Sequence, residues 1–255
     1  MRIQPLAPAS QKIGNPARSS VLAQLRETVH HFEETQRRFG RSVPVCDIVD
    51  DVLPCRGLPL GCVHEVKGTS LASAIAFSAL LAARISPKGA IVYVAPDHSF
   101  HALGLLPYGM RLEQCIHVSA RRSEDLAWTV LEALRCPQVS AVLAVVKTAD
   151  LTFCRRLQLA TENSGATGFL LGDANSAPMA SVITRWRVSS INAPAGRGFD
   201  EVFWALELLY CRGAQPGKWM AAWRNGRLEI LSLLSAAAKQ DTPGIMLPSE
   251  SVAAG

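Results

Sequence analysis

The residues of this chain closest to a chemical motif are Lys67, Gly68, Thr69 and Ser70, within "HEVKGTSLASAIAFSALL" (His64–Leu81). A strand pattern ends, a glycine follows, then a hydroxyl pair, then an apolar helix. A phosphate-binding loop stands in that order and reads G-x-x-x-x-G-K-[ST]: its glycines let backbone N–H groups curl round a phosphate, its lysine supplies charge and its hydroxyl holds magnesium. Here one glycine remains and the lysine precedes it. About four loop residues are missing from that template. The helix N-terminus keeps only a weak attraction for anions. An acid that could hold magnesium should end a later strand, yet "AVLAVVKTAD" ends its strand in Lys147, with Asp150 beyond it in a loop. A lysine there is hostile to Mg²⁺. Asp97, after "YVAP", stands where a general base would act, but without phosphate or metal it reads more plainly as a helix cap. His98 and His101 have the i, i+3 spacing of a metal pair, and no third ligand accompanies them. No Ser-His-Asp or Cys-His arrangement emerges from spacing. No catalysis, cofactor or metal is expected.

Charge suggests binding instead. The net charge is +5. The basic residues crowd the second half: Arg155, Arg156, Arg185, Arg187, Arg197, Arg212, Lys218, Arg224 and Arg227. A basic face attracts nucleic acid or an acidic protein; a solvated surface with salt bridges is the plainer alternative. Trp186, Trp204, Trp219 and Trp223 lie in the same region, as core residues or as partner anchors. The seven cysteines form no C-x-x-C pair and read as small apolar residues of a reducing compartment.

These residues need a scaffold, and the composition provides one. The chain has 255 residues, 49% apolar and 18% charged, enough for one core of ordinary size. It contains neither an apolar run long enough to span a membrane nor an N-terminal secretory pattern, so a cytoplasmic location is expected. Residues 1–19 read as flexible. Residues 20–40 read as a helix with an apolar stripe at Val21, Leu22, Leu25, Val29, Phe32 and Phe39. A domain spans 45–234, and a mobile tail follows over 235–255. Within the domain, Leu71–Ile85, "SEDLAWTVLEALRC" and "LTFCRRLQLATENSG" are helical, with Ser123 expected to cap the second and Gly165 to close the third. "AIVYVAP", "CIHVSA", "VSAVLAVV" and "ATGFLLGD" are strands. This alternation predicts an α/β fold with a largely parallel sheet flanked by helices. The last third reads as antiparallel strands, with a hairpin at Asn225–Gly226.

With the elements in place, "LPCRGLPLGCVHEV" resembles the G-G-L-P-x-G-x-x-x-E-I stretch of RecA-like recombinases, and the later elements follow in RecA order over roughly residues 50–230. "TRWRV" followed by "LELLYCRGAQPGKWMAAW" resembles the closing strands of the ImuA family. The resemblance implies a RecA-like core, damage-induced expression, and an accessory role in error-prone translesion synthesis. The implied partners are an inactive Y-family-like polymerase protein, an error-prone replicative-type DNA polymerase and the RecA-type recombinase, with DNA reached directly or through them. The chain departs from recombinases in the loop, in the metal acid and in two DNA-binding loops, replaced by "KTADLTF" and "GDANSAPMASV". A non-catalytic adaptor is therefore expected. Its candidate partner- or DNA-binding residues are Arg155, Arg156, Arg185, Arg187, Arg212, Lys218, Trp219 and Arg224. By resemblance Arg212 reaches a neighbouring subunit; alternatively it pairs with an acid such as Glu207. Two rival functions share the core: a SulA-type inhibitor of the tubulin-like division GTPase, and a degenerate DNA-binding ATPase.

Overall fold

A computed structural model describes residues 40–85, 89–96, 101–192 and 201–233. The expected N-terminal helix (but for Gly40), the tail over 235–255, and Asp97, His98 and Arg197 lie outside these residues.

Two short strands, β1 (Ser42–Val43) and β2 (Leu58–Pro59), pair antiparallel around a single helical turn, α1 (Asp47–Asp50). The rest of the described chain builds one nine-stranded sheet in the order β11-β10-β9-β8-β3-β7-β6-β4-β5. Its strands are β3 (Val63–Gly68), β4 (Ala90–Ala95), β5 (Cys115–Ser119), β6 (Val139–Val145), β7 (Thr167–Asp173), β8 (Thr184–Ile191), β9 (Val202–Cys211), β10 (Gly217–Arg224) and β11 (Arg227–Leu233). From β8 to β5 neighbours run parallel, and from β8 to β11 they run antiparallel. The sequence suggested that β8 belongs wholly to the antiparallel group. Instead it joins the two regimes, parallel to β3 on one side and antiparallel to β9 on the other.

Helices cover both faces of the parallel part. On one face lies α2 (Leu71–Ile85), beside a 3₁₀ segment, Ala102–Tyr108. On the other lie α3 (Ser123–Arg135) and α4 (Leu151–Ser164). Double coverage explains why every residue of β3 is buried. α2 is apolar around most of its circumference because it is wedged deep, with Phe77, Leu80 and Leu81 fully buried. In β8 burial alternates: Thr184, Trp186 and Val188 are buried, and the residues between them are partly exposed.

The punctuation is largely as expected. Gly165 closes α4 in the left-handed region, at φ 78°. Asn225 and Gly226 both have positive φ (50° and 72°), as a two-residue hairpin turn requires. Ser123 is different. It is the first residue of α3, the cap position falls to Arg122, and no side chain caps the helix. No helix of the described residues is long and apolar enough to cross a membrane.

Candidate functional site

The junction between β3 and α2 is two residues long, Thr69 and Ser70. Gly68 makes so short a passage feasible: a Cβ there would lie 2.1 Å from the Ser70 carbonyl oxygen. Ser70 caps α2, its Oγ accepting from the Ser73 N–H at 3.3 Å. Ser73 Oγ in turn donates to the Ser70 carbonyl at 2.8 Å and to the Val188 carbonyl of β8 at 3.1 Å. Thr69 N–H donates to the same Val188 carbonyl at 3.2 Å. The first turn of α2 is thus sewn to β8.

Lys67 is buried. Its alternation in β3 carries it, with Glu65, towards the face of α3 and α4. There its Nζ donates to the Ser176 carbonyl and lies 3.5 Å from Glu65 Oε1. Glu65 is fully buried. Its other oxygen accepts from Arg185 Nε, and Oε1 accepts from the Met179 N–H at 3.1 Å. Arg185 Nη2 donates to the Met179 carbonyl at 2.7 Å. Two cations and one carboxylate therefore tie β3, β8 and the loop over 174–183 into one knot. The ends of that loop are fixed to β3 as well: Ala174 N–H donates to the Gly68 carbonyl and Ile183 N–H to the Val63 carbonyl, both at 2.9 Å.

On the opposite face of β3, His64 is fully buried. Its Nε2–H donates to the Pro59 carbonyl (2.9 Å), which leaves Nδ1 to accept from the Thr184 hydroxyl (2.8 Å). Trp186 Nε1–H donates to the same hydroxyl at 2.9 Å. Burial pushes the imidazole down from 6.5 to about 4, so it is neutral near pH 7.

Lys147 is exposed at the end of β6. Asp150 caps α4, its Oδ1 accepting from the Phe153 N–H at 2.6 Å. His101 is exposed, and no cluster of potential metal ligands occurs among the described residues.

The basic residues separate into groups. Arg155 and Arg156 are exposed on α4. Arg187 and Lys218 share Glu207, at 3.5 and 3.0 Å. Arg224 holds Glu229 and lies 3.9 Å from Glu201. Arg212 is half-buried, with its backbone N–H on the Ile183 carbonyl at 3.0 Å. Arg185 belongs to the buried knot, where its guanidinium serves the fold. Trp219 is a core residue, 2% exposed and 6.2 Å from the Trp186 ring. Trp186, Trp204 and Trp223 are buried in the same cluster.

Sequence reading missed Glu65 and the pairing of Lys67 and Arg185 with it. One signal was available: Glu65 and Lys67 alternate onto one face of the same strand, and a buried acid there requires partners. The third member, Arg185, is too distant in sequence to be paired by spacing.

The described residues define a mostly parallel α/β protein in which the lysine and the Ser70 hydroxyl of a would-be phosphate loop are bonded within the fold. The chain is 34% identical over 194 residues to Protein ImuA of Caulobacter vibrioides (strain NA1000 / CB15N), across 68% of this chain and 79% of that protein. The same figures hold for Protein ImuA of Caulobacter vibrioides strain ATCC 19089 / CIP 103742 / CB 15. No protein-family model matches. The chain belongs to the ImuA family.

Proposed function

We propose that this chain is a non-catalytic, cytoplasmic accessory protein of SOS-induced, error-prone translesion DNA synthesis. It joins an inactive Y-family-like polymerase protein to an error-prone replicative-type DNA polymerase, and engages the recombinase. Family membership supports the mutagenic context. One observation carries the non-catalytic reading: Lys67 is bonded to the Ser176 carbonyl and beside Glu65, so the charge a phosphate would need is already spent inside the fold. A Lys147 side chain at the end of β6, where a magnesium-holding acid would stand, supports it further.

Two measurements test this reading. Magnesium and ATP at millimolar concentration should leave the unfolding temperature unchanged and yield no phosphate. Magnesium-dependent turnover abolished by Lys67→Ala would overturn the non-catalytic role. A tagged chain recovered from DNA-damaged, nuclease-treated host lysate should bring both polymerase-type partners with it. Recovery of the division GTPase in their place would overturn the translesion role.

A further inference from the structure

The carboxyl edge of the parallel sheet contains a place where the connections of two neighbouring strands diverge. The chain leaving β4 passes to the α2 face, where Ala102–Tyr108 packs; the chain leaving β6 passes to the opposite face and enters α4. β4 and β6 are neighbours in the sheet. In open α/β sheets such a divergence leaves a crevice beyond the strand ends, and ligands bind there. Here the crevice has a volume of about 640 Å³, between the starts of α3 and α4. That is within the range of ligand sites.

Its lining is divided. Leu126, Val146 and Phe153 form an apolar floor, and Arg121, Lys147 and Arg156 stand around it, all three exposed. Among the described residues no acid pairs with these three. The two lining acids are engaged elsewhere: Asp150 accepts from the Phe153 N–H at 2.6 Å, and Glu124 pairs with Arg122 at 2.9 Å. Those carboxylates stand at the starts of the two helices, where a compact phosphate would have to seat, and they repel it. Spaced carboxylates around an apolar side chain fit better: the apolar group takes the floor and the acids reach the rim. We propose that this crevice binds a short acidic peptide segment, carrying an apolar anchor residue, from a protein partner. The proposal rests on the adaptor reading for its source of ligand.

The probe is a fluorescein-labelled acidic peptide with Leu and Phe at its centre, read by anisotropy at moderate salt against the full chain. Lys147→Glu combined with Arg156→Glu should weaken binding by about tenfold or more. Arg227→Glu, on β11 at the far edge of the sheet, should leave it unchanged. If the double reversal disturbs folding, Lys147→Ala with Arg156→Ala takes its place. Absent binding, or binding indifferent to the crevice variants, overturns the proposal. So does displacement of the peptide by single-stranded oligothymidylate whose own binding the reversal abolishes, since the occupant is then nucleic acid. Loss of the crevice result while both polymerases still co-purify refutes this site alone. Peptide binding without polymerase recovery refutes the translesion role alone.

Discussion

Two places on the carboxyl edge of one sheet have opposite fates. At β3 the passage to α2 is two residues long, and Lys67, Glu65 and Arg185 are drawn inward beneath the loop over 174–183. At β4 and β6 the outgoing connections part to opposite faces, and Arg121, Lys147 and Arg156 stand exposed around an apolar floor. The first place turned its charges into structure. The second left them in solvent, free to meet something else. The same residue types thus count differently according to burial: desolvated ions must be matched by partners, whereas exposed ones cost the fold almost nothing.

Breaking the closed place should have the largest effect. Glu65→Ala leaves Lys67 and Arg185 without their shared carboxylate, and a loss of about 3–5 kcal/mol is expected in urea unfolding. A loss below about 1 kcal/mol would mean that the knot is open to water in solution.

Next comes the other face of β3. His64 stays neutral in the fold until about pH 4, whereas the unfolded chain takes up its proton from 6.5 downward. The contribution is complete above pH 6.5 and falls as the pH drops towards 4, by roughly 3 kcal/mol over that window. Thermal unfolding followed from pH 7 to 4 should show the loss, and His64→Gln should flatten that part of the profile. An unchanged profile would place the acid sensitivity on other groups.

The smallest effect belongs to the open place. Lys147→Ala should move stability by no more than about 0.5 kcal/mol, because the side chain is exposed and without an acid partner among the described residues. A larger loss in the same urea experiment would show that the crevice, too, is structural.

The alternation of apolar runs and helical patterns was enough to read the α/β order, since buried parallel strands such as Ala90–Ala95 and Val139–Val145 carry continuous apolar sequence. The Asn225–Gly226 turn was legible because few other pairs accept positive φ at both positions. Lys67 was legible as a residue out of place, but not its destination. Its partners come from the Ser176 carbonyl and from Glu65, and Arg185 joins them only because β8 pairs with β3. Basic residues clustered in sequence were likewise no guide to a basic face: Arg187, Lys218 and Arg224 find acids in neighbouring strands through the antiparallel register. The crevice was illegible for a similar reason. Lys147 and Arg156 are near in sequence, but Arg121 and Leu126 reach them only through the strand order β6-β4-β5.

Because β8 bonds to β3 on one side and to β9 on the other, no linker interrupts the ladder from β11 to β5. Nine strands leave eight steps, each about 4.8 Å along the hydrogen-bonding direction, so the edges stand roughly 38 Å apart. Lengthening that distance would require breaking a row of backbone hydrogen bonds, not turning a hinge. The sheet is a ruler: two bodies gripping its opposite edges would be held at one spacing, and a pull separating them would load the backbone hydrogen bonds of every ladder between them.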